Sequence, residues 1–413
     1  MTSASPAPRH APLWGWRSVD GELAVGGMPL SQLARRVGQT PFFAYDRALL
    51  DERVAELRTI LPPSIKLHYA VKANPMPALV CHMATRVDGL DVASGRELAV
   101  ALDSGMRARD ISFAGPGKRE NEIAQAIAAG VLLNVESETE LERAAALCLR
   151  SGETARIALR VNPDFELKSA GMKMGGGPKQ FGIDADRVPA LARRAVELGL
   201  SFEGFHIYAG SQNLRAAAIV EMQARSYELA LRLAQESGQP IRTLNLGGGF
   251  GIPYFPGDTH VEPAPIRDSL HAIAERAARD LPGAELVIEL GRYLVGEAGI
   301  YVTRVLDRKD SRGQVFLVCD GGLNHQLAAS GNFGQVLRKN YPLAVGNRFG
   351  EPAAEVAMVV GPLCTPLDLL GDRVDLPRAD IGDLIVVFQS GAYGLTASPR
   401  HFLSHPDAVE VLV

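Results

Sequence analysis

A lysine, Lys72, closes the short apolar run His68-Tyr69-Ala70-Val71 and is followed by Ala73-Asn74. A strand-end lysine is ordinarily solvated. An amine desolvated beside an anion-bearing group can instead lose its proton and attack an aldehyde. The partners such an amine needs stand further along the chain. Asn245-Leu246-Gly247-Gly248-Gly249-Phe250-Gly251 puts four glycines within five residues, so backbone N–H groups can turn toward a phosphate at close range. The run lacks the G-x-G-x-x-G spacing of a dinucleotide fingerprint. Glu289-Leu290-Gly291-Arg292 offers a carboxylate that can accept the proton of a pyridinium nitrogen and keep such a ring an electron sink. Its arginine is suited to bidentate pairing with phosphate or carboxylate. Gly361-Pro362-Leu363-Cys364 and Gly391-Ala392-Tyr393-Gly394 add two turns, one carrying a thiol. Together these residues can hold a phosphorylated aldehyde over Lys72.

The elements that must position them repeat. From Pro41 the chain alternates short β-rich runs with amphipathic helical segments, and the strands predicted are Leu67–Val71, Gly89–Val92, Ile111–Ala114, Leu132–Val135, Ile157–Val161, Phe202–Ile207, Leu244–Leu246 and Leu286–Glu289. Helical spacing marks Glu120–Ala129, Glu138–Leu149 and Val188–Leu198 between them. Eight β–α units suit a TIM-like (β/α)₈ barrel of about 250 residues, whose chemistry sits at the strand C-termini and whose loops after strands seven and eight commonly bind phosphate. Lys72 follows the first strand, the glycine run closes the seventh and Glu289 ends the eighth. After Tyr293 the pattern turns to β-rich runs, Ile300–Leu306, Val315–Cys319, Glu355–Val360, Leu384–Phe388 and Ala408–Val413. Trp16 to Gly27 reads as a hairpin around Asp20-Gly21, before a helical pattern at Leu30-Leu33-Val37. The expected organisation is a barrel over 41–290 and a discontinuous all-β domain from 1–40 and 291–413, with residues 1–16 a loose leader.

Composition narrows the classes of function. A chain of 413 residues has room for such a barrel and a second domain, and 46% hydrophobic with 22% charged residues is ordinary for a globular protein. A net charge of -4 gives no basic bias toward nucleic acid. No apolar run approaches the roughly 20 residues of a membrane helix, and the first residues lack the apolar centre of a signal peptide, so no membrane partner and a cytoplasmic location are expected. Cys81, Cys148, Cys319 and Cys364 lie too far apart for a zinc or redox motif, and no metal site is expected. The first three read as small buried hydrophobes.

In order and content these strings resemble the fold-type III pyridoxal-phosphate decarboxylases, which include the diaminopimelate, ornithine and arginine decarboxylases. The resemblance runs from Pro41-Phe42 to the end of the chain. It implies a barrel of the alanine-racemase type, pyridoxal 5'-phosphate as cofactor and a homodimer with shared active sites. Lys72 matches the lysine that forms the Schiff base, with Asp91 and Glu97 the acidic residues near it. Ser211, Gly247, Gly248, Gly249, Gly291, Arg292 and Tyr393 match the phosphate cup, and Glu289 the partner of the pyridine nitrogen. Cys364 matches the cysteine that reaches across the dimer and reprotonates the quinonoid carbanion left by loss of carbon dioxide. A thiol, with an ordinary pKa of about 8.5, can serve as that donor. Read alone, Cys364 would be structural. A racemase fits less well, since alanine racemases hold the pyridine nitrogen with arginine, and a non-catalytic pyridoxal-phosphate carrier has no use for the second domain and its thiol.

Two departures from the family pattern bear on the substrate. Alignment on Gly210-Ser211 puts Tyr208 where the diamino-acid enzymes stack an imidazole on the cofactor ring; tyrosine can also stack. His206, two residues earlier on the same strand face, is the other candidate, and either can be a packed interior side chain. After the cysteine, those enzymes place an acidic residue that recognises the distal amine, whereas this chain has Thr365-Pro366-Leu367-Asp368. A buried distal cation would then go poorly paired, at a cost of several kcal/mol, and Thr365, Arg292 and Arg338 become the substrate-binding candidates. Met174-Gly175-Gly176-Gly177-Pro178-Lys179-Gln180-Phe181-Gly182, Gly361 to Pro366 and Ser404-His405-Pro406 resemble the branch from natural-product and exopolysaccharide clusters. That branch includes exosortase-associated members and the butirosin-pathway enzyme, which acts on glutamate tethered to an acyl carrier protein. The implied reaction is decarboxylation of an α-amino acid, free or carrier-tethered; the alternative is a free diamino acid such as diaminopimelate or ornithine. Lys168 to Lys179 reads as a substrate lid, a carrier-protein contact or a plain surface loop.

Overall fold

Parallel strands joined by helices bury both sheet faces, and closing the sheet removes its edges. The computed structural model describes residues 8–166, 172–173 and 175–413. In it, Ile65–Ala70, Gly89–Val92, Ile111–Phe113, Leu132–Val135, Arg156–Asn162, Ser201–Ile207, Thr243–Gly248 and Glu285–Leu290 form parallel strands in barrel order. The ring closes where the eighth pairs with the first, from Leu286↔Ile65 to Leu290↔Tyr69. This is the barrel read from the sequence, and all eight strands lie within two residues of the expected bounds. The helices form where local signals agree. Ser94 and Ser137 cap Gly95–Asp103 and Glu138–Ser151 by accepting from the N–H of Glu97 and Glu140, and left-handed Gly130 and Gly152 end Glu120–Ala129 and Glu138–Ser151.

The chain divides into two compact units. One is the barrel unit, Arg53–Gly251 and Val261–Gly291; the other, β-rich, comprises the chain up to Glu52, Ile252–His260 and Arg292–Val413. The β unit thus takes in 41–52 and 252–260, which the sequence reading assigned to the barrel. The reason is pairing: Phe42–Tyr45 lies between Gly299–Ser311 and Val409–Leu412, and the Gln389 amide donates to the carbonyl of Pro253. Leu23, Val25, Leu30, Phe42, Ile300, Val386 and Phe388 belong to its core. The N-terminal hairpin is present, with Asp20 and Gly21 at φ 54° and 78°, as a two-residue primed turn requires.

Among the strands of the β unit with no counterpart in the sequence reading are Leu343–Val345 and Leu369–Leu376. One is three residues long, and Gly371-Asp372-Arg373 interrupts the alternation of the other. Cys81 corrects an expectation: it is exposed, because the helix Pro77–Ala84 turns Leu79, Val80 and Met83 inward instead. Cys148 and Cys319 are buried. No described helix is long and apolar enough to cross a membrane.

Candidate functional site

Lys72 sits in a single 3-10 turn, Val71–Ala73, at the end of the first barrel strand. Val71 and Ala73 are buried and Lys72 is exposed, so packing fixes the turn while the amine stays accessible. The Tyr69 hydroxyl donates to the Asn74 carbonyl (2.8 Å), and the Met76 N–H to Asn74 Oδ1 (3.0 Å), which holds the chain leaving the turn. Lys72 Nζ lies 5.6 Å from the centre of the Tyr208 ring. Of the two aromatic candidates on the sixth strand's line, Tyr208 is therefore beside the amine. His206 turns to Glu289.

Glu289 is 6% exposed. His206 Nε2 lies 3.1 Å from its Oε2, and Asn245 Nδ2 donates to the same oxygen at 2.9 Å. Burial opposes the charge, but the close approach of His206, then the charges of Lys72 and Arg160, hold the Glu289 carboxyl well below the usual carboxylate range. Asn245 Oδ1 accepts the N–H of Gly247 (2.8 Å), which ties this carboxylate to the glycine run. There, a Cβ on Gly247 would lie 2.9 Å from the Ile207 carbonyl oxygen, on Gly248 2.0 Å from that of Glu289, and on Gly249 2.3 Å from that of Gly210. Only bare backbone fits in this space, and Gly247 and Gly249 also sit at φ 70° and 71°. Ser211 follows in the two-residue strand Gly210–Ser211, paired with Met172–Lys173. A Cβ on Gly291 would lie 2.8 Å from that of Ala73, so the end of the eighth strand packs directly on the lysine turn.

Asp91 lies in the barrel interior. Its Oδ1 meets His68 Nδ1 at 3.1 Å and the Ser112 hydroxyl at 2.5 Å, and Oδ2 has no hydrogen-bond partner among the described residues. Burial raises the pKa of Glu97 while the charge of Lys72 pulls it down, which places the amine within Coulombic reach of both Glu97 and Glu289. The sequence reading missed Arg160. It is 6% exposed, pairs with Glu136 at 2.8 Å and lies 5.0 Å from the centre of the Phe181 ring. Its signal was a charge in the middle of the apolar run Ile157 to Val161.

In the β unit, Arg292 Nη1 donates to the Tyr254 hydroxyl at 3.0 Å, and the guanidinium carbon lies 4.7 Å from the centre of the Tyr393 ring. Tyr254 in turn packs on Tyr341, ring centres 4.7 Å apart. Burial works against its charge, yet Tyr254, Tyr393 and Tyr341 together hold the Arg292 pKa above the ordinary guanidinium range. Its Nε is buried with no hydrogen-bond partner among the described residues. Tyr393 follows Gly391, where a Cβ would lie 1.7 Å from the Val295 carbonyl oxygen; that glycine lets the Tyr393 turn approach the short helix Arg292–Val295. Cys364 is exposed on a turn organised by Asp368, whose carboxylate accepts the N–H of Leu323 (2.7 Å) and of Leu363 (2.8 Å). The Thr365 N–H donates to the Leu363 carbonyl within the same turn. Arg338 donates to the carbonyls of Ser330 and Leu369, so part of its guanidinium serves the backbone.

Residues 167–171 and 174, hence Lys168 and much of the loop singled out in the sequence, lie outside the described residues. The part that follows is anchored: Asn162 accepts from the Gly176 N–H and donates to the Gly177 carbonyl, and the Gly182 N–H donates to Glu136 at 3.1 Å.

An accessible lysine at a barrel strand end, a buried ionised carboxylate and a glycine turn with no room for side chains are what a site for a phosphorylated aldehyde with a basic ring nitrogen requires. The donor set fits pyridoxal phosphate: the turn offers backbone to a phosphate, and both contacts to Glu289 fall on Oε2. Comparison with known proteins agrees. The model of the pyridoxal-dependent decarboxylase family, pyridoxal binding domain, matches residues 47–296. The chain is 39% identical over 381 residues to the L-glutamyl-[BtrI acyl-carrier protein] decarboxylase of Niallia circulans, covering 91% of this chain and 89% of that protein. It is 34% identical to the diaminopimelate decarboxylase of Aquifex aeolicus, covering 95% and 91%. The crystal structure of diaminopimelate decarboxylase from Helicobacter pylori complexed with L-lysine superimposes with a TM-score of 0.80 at 26% identity, covering 93% and 94%. The chain belongs to the pyridoxal-dependent decarboxylases: it is an amino acid decarboxylase, a carboxy-lyase with pyridoxal phosphate as cofactor.

Proposed function

We propose that this enzyme decarboxylates an α-amino acid carried on an acyl carrier protein. The observation that carries the reading is the state of Asp368. It is the one acidic residue in the run Cys364 to Asp368, and it is 3% exposed with two backbone N–H groups on its carboxylate. Nothing in that run is left to pair with the distal ammonium of lysine, ornithine or diaminopimelate. The similarity to a decarboxylase of carrier-bound glutamate supports the same substrate class.

In this reading Lys72 would hold pyridoxal phosphate through its amine and give it up to the substrate amine. Gly247, Gly248, Gly249, Ser211, Gly291, Arg292 and Tyr393 would hold the phosphate, and Tyr208 would lie against the ring. Glu289 would accept from the ring nitrogen, and its charge would keep that nitrogen protonated. Bound pyridoxal phosphate supplies an electron sink for the pair left when carbon dioxide departs. Cys364 then delivers a proton to the α-carbon, and Thr365, Arg292 and Arg338 face the substrate. Asp91 and Glu97 tune the field around the lysine. The protein works as a homodimer; the exposed Phe333, Val336, Leu337 and Leu367 support burial against a second copy.

Carbon dioxide release from a panel of carrier-bound and free amino acids tests the substrate. Turnover of a carrier-bound amino acid in preference to its free form is the expected result. Release from free diamino acids alone would refute the reading.

A further inference from the structure

Three strands bring His206, Asn245 and Glu289 together. His206 and Asn245 are direct partners in the pairing of strands six and seven, and Asn245 pairs with Val287, two residues before Glu289, in the pairing of strands seven and eight. Two residues along a strand is the same face, so an imidazole, an amide and a carboxylate converge. Their contacts are selective: His206 Nε2 at 3.1 Å and Asn245 Nδ2 at 2.9 Å both approach Oε2. Asn245 donates to that oxygen and the imidazole lies against it at ion-pair distance, and no described residue donates to Oε1.

His206 is 2% exposed, and neither of its ring nitrogens has a hydrogen-bond partner among the described residues. A buried imidazole with no hydrogen bond is a poor choice for packing, since its nitrogens are desolvated without compensation. Its contact with Glu289 is the compensation available. Asn245 uses both ends of its amide, donating to Glu289 and accepting from the Gly247 N–H at 2.8 Å. It therefore links the carboxylate to the turn that offers its backbone to phosphate, and fixes the span between the two.

We propose that His206 and Asn245 are positioning residues that grip Oε2 of Glu289, so that Oε1 is presented, ionised, to the ring nitrogen of pyridoxal phosphate at a set distance from the phosphate turn. This rests on Glu289 as the partner of the ring nitrogen. The other charged or titratable groups around Glu289 are Lys72 and His68 from the first strand and its turn and Arg160 from the fifth; the polar contacts on its carboxylate among the described residues are those of His206 and Asn245, so orientation falls to these two.

The test is a double-mutant cycle on the reconstituted holoenzyme, reading the dissociation constant of pyridoxal phosphate and the pH at which it is released on acidification. His206→Leu should weaken binding by about ten- to a hundred-fold, the loss associated with a close polar contact to a charged group, and move acid release to higher pH. His206→Gln, which can place a donor near the former Nε2, should recover most of both. In a Glu289→Gln background the effect of His206→Leu should largely vanish, because the two act through one carboxylate. Where His206→Leu fails to fold, Asn245→Ser passes through the same cycle with the same expectation. An undiminished His206→Leu effect in the Glu289→Gln background, or wild-type affinity and release pH in His206→Leu itself, overturns the proposal and leaves the role of Glu289 standing. Wild-type affinity and turnover in Glu289→Gln alone overturns the ring-nitrogen reading beneath it.

Discussion

Gly248→Ala is the sharpest steric probe of this site. Gly248 is not among the residues with positive φ, so the substitution adds volume without backbone strain. Its Cβ would lie 2.0 Å from the Glu289 carbonyl oxygen and 2.7 Å from Leu290 Cδ2. Non-bonded heavy atoms settle near 3.5 Å, so strands seven and eight must part locally by about 1.5 Å. The nearest atom is backbone and belongs to the residue paired with Gly248 in the sheet, which leaves no flexible side chain to absorb the overlap. Overpacking of this kind costs about 1–3 kcal/mol, and the rigid neighbour argues for the upper half of that range. Because the displaced residue is Glu289, affinity for pyridoxal phosphate should fall about ten-fold or more, since each factor of ten is only 1.4 kcal/mol. The assay pairs thermal unfolding of the cofactor-free protein with equilibrium binding of pyridoxal phosphate. Gly117→Ala is the control, since a Cβ there meets nothing within 4 Å, and it should change neither. A Gly248→Ala protein that melts and binds like the unchanged chain would refute the close approach and the argument built on it.

Three further outcomes are expected. His68 is buried against Asp91, and despite burial that partner raises its pKa above the ordinary 6.5; a raised pKa contributes stability that is present in full below 6.5 and lost as pH rises through the folded value, so His68→Gln should flatten the decline of stability measured by denaturant as pH rises above 6.5. Asp368→Asn leaves the N–H groups of Leu323 and Leu363 with a weaker acceptor; it should cost about 1–3 kcal/mol in thermal unfolding and speed alkylation of Cys364 as its turn loosens. Tyr254→Phe keeps the ring but removes the acceptor of the Arg292 Nη1 bond, and should weaken pyridoxal-phosphate binding by about 0.5–1.5 kcal/mol with the melting temperature nearly unchanged.

What the sequence disclosed follows from how local each feature is. The barrel strands and the glycine run were legible because period and composition act within a few residues, and Gly247 to Gly249 need only backbone to matter. Lys72 and Glu289 were legible as strand ends in a fold whose strand ends carry chemistry. The company of Glu289 was not. His206 shares a strand face with Tyr208, but only the pairing of His206 with Asn245 shows which of the two turns to the carboxylate and which lies by Lys72. Arg160 was hidden for a related reason: a charge within an apolar strand reads as an irregularity until Glu136 is seen beside it. Cys81 misled because cysteine is usually buried, whereas the orientation of its helix is set by Leu79, Val80 and Met83.

Barrel interiors of this architecture are normally filled by branched aliphatic side chains, and here much of that filling is polar. His68, Asp91, Ser112 and Asn134 form one chain of contacts, and His206, Glu289 and Asn245 another. His68, Ser112, Asn134 and Asn245 also line a cavity of about 90 Å³, space for about three waters at roughly 30 Å³ each. Replacing buried charged groups by well-packed apolar ones is often neutral or stabilising, so folding alone gives no reason to retain this arrangement. The proposed catalysis does. A carboxylate that must stay ionised out of bulk water needs polar groups already in place, and those groups need partners of their own. In the proposed reading, His206 and Asn245 are what one ionised Glu289 requires around it.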